Sequence, residues 1–352
     1  MFAAPRSPRK LEACLRDLAS ESASVRAESA RDLGRHGGAL VRGEVVDALI
    51  GALGDGSSDV RAAAATSLAD VHAEAPLAGA TGDRALDALT AACADASPLV
   101  RQMAVAAIGE IGGEAAPALL EAGLADAAPE VRFQAVIAYP RRAPDEAAAV
   151  NALEAATRDD DELVAHIALR MAEEIGEKAG GVDPRLVRRA RALLAHDAPM
   201  VRLAAAILLA RAGEEGGEAI LAEAARGDLV TPEGADVATA IELSGELAIA
   251  AARPGLEKRA WGGAFGLFTD RFRWHARVAL ARMGDERAKR EILKDLEAWD
   301  PSRRTLAVAA AGRAKLTEAE PRLVAMRRDG RADENALDEA LRSLSEDRAP
   351  AE

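Results

Sequence analysis

The feature that most constrains this chain is a unit that returns about every 35 residues. Its clearest copy is Asp95 to Gly112, DASPLVRQMAVAAIGEIG. It opens on a turn Asp and a capping Ser97, sets Pro98 at the first helical position, and places Val100, Arg101, Ala104 and Ile108 before Gly112. Pro just inside a helix start and Gly just past its end punctuate one short helix. With Val100 as anchor, copies stand at Val25, Val60, Val131, Val164, Val201 and Val237, then in decayed form at Phe272, Arg303 and Ala336. The spacings run from 31 to 40. Four residues beyond the anchors stand Ser29, Ala64, Ala104, Ala135, Ala168, Ala205, Ile241, Ala276, Ala307 and Ala340, eight of ten being Ala. A repeat of this period marks a solenoid of stacked supersecondary units.

Composition agrees with that architecture. Hydrophobic residues make up 49% of the 352, yet aromatics only 3%, too few large side chains for one compact core of this size. A stack of helix pairs needs fewer, because each repeat touches only its neighbours and small residues let helices approach closely. Cys14 and Cys93 lie far apart without a CxxC, which suggests neither a disulfide framework nor a zinc site, and both fall where other repeats place Leu. They read as core thiols. The chain has no apolar run of membrane-spanning length, and its MFAAPRSPRK start lacks a signal-peptide centre, so a reduced, cytoplasmic setting is expected.

Each repeat reads as helix A, a tight turn and helix B. We expect an all-α fold of ten pairs in one right-handed α-solenoid. The array should span 11–345 as one body, with tails at 1–10 and 346–352. Gly37 should stop the first helix B, and HAEAPLAGATGD, 72–83, should form a surface loop. Pro140 should end the fourth helix B. The DDDE run Asp159–Glu162 sits where the fifth helix B begins, where negative charge favours the helix dipole, so capping is preferred to a metal or acid–base role. The seventh repeat is degraded, with Gly245 in place of the usual Leu.

An Arg follows the anchor in seven repeats: Arg26, Arg61, Arg101, Arg132, Arg202, Arg273 and Arg304. A turn Asp stands five before it at Asp55, Asp95, Asp126 and Asp159. Because Asp and Arg recur together at fixed offsets, a ladder of guanidinium–carboxylate bonds along the stack is preferred to a phosphate-binding track.

The unit D-x-x-x-x-V-R-x-x-A-x-x-x-L-x-x-x-G, seen in Asp95–Gly112 and nearly in Asp126–Tyr139 and His196–Gly213, resembles HEAT repeats. More narrowly, it resembles the bacterial HEAT-like type first named for phycobilisome lyases. The resemblance covers 11–345, and it implies that helix B lines a concave face whose usual task is holding another protein. Enzymatic relatives leave little trace. HEAT-like deoxyhypusine hydroxylases need His-Glu dyads, whereas His36, His72, His166, His196 and His275 are followed by Gly, Ala, Ile, Asp and Ala. A single imidazole is not a metal site. No feature points to a tetrapyrrole groove. HEAT-like alkylpurine DNA glycosylases use a basic concave face with Trp and Asp, and Arg273, Trp274 and Arg277 echo that without a convincing acidic partner.

Gly262, Gly263 and Gly266 lack the strand–helix context that gives a glycine loop meaning, and the Asp of His196-Asp197 reads as a turn cap. The expectation is therefore a non-catalytic scaffold or adaptor with no cofactor and no metal. A nucleic-acid-binding protein and an accessory subunit of a cofactor-loading enzyme stay open as alternatives. Charge bears on the first of these. The chain carries a net −13, uneven along its length: 1–176 hold 16 basic and 28 acidic side chains, 251–331 hold 19 and 11. The acidic half would repel DNA.

Two surfaces could take a partner. The row two residues beyond each anchor, Ala27, Ala62, Gln102, Phe133, His166, Leu203, Thr239 and Trp274, should face inward from helix B. Its large members either pack between neighbouring B helices or line an apolar groove. The second surface is the eighth and ninth repeats. Trp261, Phe265, Phe268, Phe272, Trp274 and Trp299 put six of the nine aromatics there, among Arg271, Arg273, Arg277, Arg303 and Arg304. Trp and Arg often anchor interfaces, so an acidic protein surface or segment is the expected partner.

Overall fold

Why a chain so rich in Ala can stack at all is visible in its helix order. The computed structural model describes residues 10–36, 38, 42–232, 234–262 and 270–346. Within them run twenty α-helices and no strand, forming ten A–B pairs. The expected tails, apart from Lys10 and Glu346, fall outside these residues, as do the Gly37 stop, Gly263, Gly266, Phe265 and Phe268.

The chain divides into two compact units, Met1–Leu186 and Val187–Glu352. In the first, the A helices are α1 (Leu11–Asp17), α3 (Arg42–Ala52), α5 (Gly79–Ala92), α7 (Ala116–Gly123) and α9 (Glu146–Ala156). Its B helices are α2 (Ala23–Leu33), α4 (Ser58–Glu74), α6 (Pro98–Ile111), α8 (Pro129–Ala138) and α10 (Glu162–Ala179). Helix α11 (Pro184–Leu193) crosses the division. In the second unit the sixth repeat is completed by α12 (Pro199–Arg211). The pairs α13 (Glu218–Arg226) with α14 (Gly234–Glu246), and α15 (Arg253–Trp261) with α16 (Arg273–Arg282), follow it. The last two are α17 (Glu286–Asp295) with α18 (Pro301–Arg313), and α19 (Glu320–Arg328) with α20 (Glu334–Glu346).

Within each unit, each B helix packs on the next B helix and on the A helix of its own pair. The small residue four beyond the anchor sits in those seams. All ten of these side chains are buried, Ala340 being the most exposed at 2%. Nine of them are Ala or Ser, small enough to let backbones meet, where a larger group would force them apart. Gly245 shows the limit of this packing, since a Cβ there would come within 2.4 Å of the Cα of Ala279. The residue that made the seventh repeat look degraded is therefore what its closest helix contact requires.

The ladder supplies the polar half of the stack. Arg26 Nε and Nη2 donate to Asp55 at 2.7 and 2.8 Å, and Arg61, Arg101 and Arg132 do the same to Asp95, Asp126 and Asp159. Each Nη1 also donates to carbonyls of its own turn, such as Asp95 for Arg101. Each Asp accepts in addition the N–H two residues on. One Asp thus closes its own turn and ties it to the preceding repeat. In the second unit the rungs decay. The side chains of Arg202 and Arg304 reach only carbonyls, and that of Arg273 makes no hydrogen bond or ion pair among the described residues.

Three local expectations are corrected, and the capping expected of the DDDE run is met by one of its residues. Residues 72–83 are mostly helix: α4 continues to Glu74 and α5 begins at Gly79. The joint between them is held by His72 Nδ1, which accepts from the Leu77 N–H at 3.1 Å. Ser97 stands at the N-cap without a side-chain capping bond, while its own N–H donates to Asp95. Among the DDDE residues, Asp159 is the ladder acceptor, while Asp161 caps α10 by accepting from Leu163 and Val164. Cys14 is buried, but Cys93 only half so, and burial pushes its thiol up to about 11.

Two outcomes test this account. Ala104→Leu or Ala205→Leu should overpack a seam and destabilise by about 1–3 kcal/mol, seen as a lower calorimetric Tm. The ladder gives a pH dependence. The partner guanidinium holds each of Asp55, Asp95, Asp126 and Asp159 below the usual carboxylate range, with burial opposing. A depressed folded pKa stabilises above the unfolded value, about 3.9, and that contribution is lost as pH falls through the folded pKa. Tm should hold level from neutrality to pH ~5 and fall below pH ~4. Asp95→Asn should lower Tm at neutral pH and shrink the acid-induced drop.

Candidate functional site

The eighth and ninth repeats place buried charges where most repeats place apolar side chains. Five residues beyond the anchor the chain places Ala30, Ala65, Val105, Val136, Leu169 and Ala206, all at most 2% exposed. At that position the eighth repeat has Arg277, on α16 and 2% exposed. Eight residues before the anchor stand Ala52, Ala92 and Leu193, again apolar and buried. There the ninth repeat has Asp295, at the end of α17 and 2% exposed. The two charges meet, with Arg277 Nη1 donating to Asp295 Oδ2 at 3.3 Å. The decayed anchor Arg303, on α18, approaches the other oxygen, Oδ1, at 2.7 Å.

Two indoles enclose this pair. The Arg277 guanidinium carbon lies 4.9 Å from the ring centre of Trp261 and 5.3 Å from that of Trp274. Arg287 covers Trp261 in turn, at 4.1 Å. Such cation–π contacts replace part of the hydration that a buried guanidinium loses. They do not replace all of it, since Arg277 Nε has no hydrogen-bond partner. Burial, reinforced by Arg273, pushes Arg277 below the usual guanidinium range, although Asp295 and Glu291 oppose this. Beside the pair opens a cavity of about 230 Å³, whose wall includes Arg273, Trp274, Asp300, Arg303 and Leu306. Trp299, on the turn between α17 and α18, is 95% exposed.

A second polar group lies one repeat earlier. Glu242 takes the same core position on α14 that Arg277 takes on α16. It contacts His275 Nδ1 at 2.5 Å and pairs with Arg313 of α18. Burial lowers the basicity of His275. Among the described residues no three His, Cys, Asp or Glu side chains gather in a way that could hold a metal ion.

The other expected site residues separate by environment. Leu203 is fully buried in the core of its unit, so it packs between helices and is corrected from groove to core. His166 is also buried, while Phe133 is half-buried. Arg277 is corrected likewise: it lies beneath the surface and cannot form a partner's outer contact. Trp261 and Trp274 are half-buried, packed on the core with part of each ring accessible. Phe272 is a core residue. His196 does the work of the missing turn Asp, its Nδ1 accepting the Ala198 N–H at 3.1 Å.

A family model described as HEAT repeats matches residues 8–78 and 75–140. Over those residues the chain carries HEAT repeats. No curated protein matches the chain. Among solved structures it is similar to YibA of E. coli, with 15% identity, 96% of this chain and 92% of that one covered, and a TM-score of 0.45. It is also similar to Kap121p, at 14% identity and TM-score 0.48, covering 96% of this chain and 41% of that one. The complex of CpcE and CpcF of phycocyanin lyase from Nostoc sp. PCC7120 is matched at 18% identity and TM-score 0.34, with 82% and 96% covered. Asp295, Glu242, His275 and Arg313 are site residues that the sequence reading did not single out. Asp295 and Glu242 betray themselves only when each repeat position is read down the column.

A buried ion pair in place of two apolar residues gives a further test. Arg277→Ala should leave Asp295 buried with Arg303 alone and destabilise by about 3–5 kcal/mol. Arg277→Val with Asp295→Ala, which restores what other repeats carry, should melt at or above the wild-type temperature. Differential scanning calorimetry on both variants checks the pair.

Proposed function

We propose that this protein is a non-catalytic scaffold that holds another protein at its eighth and ninth repeats. The observation that carries the reading is Trp299, an indole left 95% exposed on the turn that leads into α18, whose Arg303 lines a cavity with the half-buried Trp274 and Arg273. An exposed indole next to arginines has the composition of an interface anchor, with large apolar area and directed donors. The excess of basic over acidic side chains across 251–331 supports an acidic segment as the partner. Phe133 and His166, in the other unit, have no comparable exposed aromatic beside them and stand outside this proposal.

No described helix is long and apolar enough to cross a membrane. A cytoplasmic setting is part of the same proposal, resting on the two free thiols Cys14 and Cys93.

The test replaces surface residues only, because changing Arg277 would disturb the core. Wild-type protein and a Trp299→Ala, Arg273→Glu variant are used as baits on extract from the source cells. Proteins retained by the wild type should be lost by the variant, while Tm is unchanged. Retention of the same proteins by both would place the binding surface elsewhere on the repeats.

A further inference from the structure

We propose that the cavity between α16 and α18 takes a single carboxylate, presented by an acidic residue of the partner with an apolar residue beside it. The proposal rests on the scaffold reading above and gives it a chemical group to recognise. Three arginines meet this cavity, and their hydrogen-bonding capacity is not used up. A guanidinium offers five donors. The only hydrogen bond that the Arg277 side chain makes among the described residues is the 3.3 Å bond to Asp295, and its Nε has no acceptor. The Arg273 side chain makes no hydrogen bond or ion pair among the described residues. Arg303 is half-exposed and directs one donor at Asp295.

The acids in the wall are already engaged. Asp295 is shared between Arg277 and Arg303, one oxygen to each. Asp300 caps α18, its two oxygens accepting the N–H groups of Ser302 and Arg303 at 3.2 and 3.3 Å. Three guanidinium groups against two carboxylates leave one positive charge. One carboxylate neutralises that surplus, whereas a doubly charged phosphate monoester would leave an unpaired negative charge beside Asp295. The apolar requirement comes from Leu306, 48% exposed, and the accessible part of Trp274. An acidic residue could lie between Arg273 and Arg303 while its apolar neighbour covers Leu306.

The probe is an end-blocked, fluorophore-labelled pentapeptide with one glutamate between two leucines, followed by anisotropy with the full-length protein. Replacing that glutamate by glutamine should weaken binding about tenfold or more. Arg273→Gln should weaken the glutamate peptide about fivefold or more at unchanged Tm, and leave the glutamine peptide unaffected. Inorganic phosphate should compete no better than acetate. Equal binding of the two peptides, or no saturable binding into the millimolar range, would overturn the proposal. Stronger competition by phosphate, or displacement of the peptide by duplex DNA, would overturn it in favour of a phosphate site. The scaffold reading fails separately. If Arg273→Gln keeps every wild-type partner and Trp299→Ala loses them, the interface stands and the carboxylate site falls. If the peptide binds as described but the baits retain nothing in common, the cavity stands and the scaffold falls.

Discussion

Close approach of one B helix to the next is the constraint on which the rest depends. It is set by a small side chain four residues beyond nine of the ten anchors, and in the seventh repeat, which has Ile241 there, by the absence of any side chain at Gly245. Small side chains bury little apolar area each, so a seam gains from dispersion between nearby backbones as well as from burial. Polar groups drawn close to such a seam must be satisfied locally. The Arg–Asp rungs meet that need at the turns, where Asp95 and its equivalents bind both their own backbone and the preceding repeat's guanidinium. Packing and ladder therefore share one register.

That register is why the fold was legible. Anchor, small residue and turn Asp recur often enough that helix pairs, seams and the direction of the rungs follow from spacing alone. Legibility failed where one residue does two jobs. Asp95 closes its turn while Ser97 makes no side-chain capping bond, and His72 holds the joint that lets two helices replace an expected loop. Gly245 looked like loss of a core residue because the sequence does not show that Ala279 approaches its Cα so closely.

The site was half legible. Tryptophans crowded among arginines drew attention to the stretch that holds the Arg277–Asp295 pair, yet the residue ranked with them on the surface, Arg277, is buried. Helical periodicity identifies a face but not how deep a long side chain lies, and an indole on either side can bury a guanidinium that periodicity would send to solvent. Asp295 left no local signal, being one acid in a charged helix. Its oddity exists only relative to Ala52, Ala92 and Leu193 in the same place elsewhere.

Because every repeat offers the same two core positions, the Arg277–Asp295 arrangement is portable. The third repeat places Val105 where Arg277 stands, and the fourth places Gly123 where Asp295 stands, with Val131 as the anchor where Arg303 stands. A recognition cavity in this architecture is thus written at an address rather than in a unique surface. Moving it along the chain takes substitutions at those three positions of a repeat, and at Gly123 the new side chain must find room against Ala135 and Val105. A repetitive core is usually regarded as monotonous support for a variable exterior. Here the variation lies inside, and the interior residues choose which stretch of an otherwise uniform array becomes distinctive.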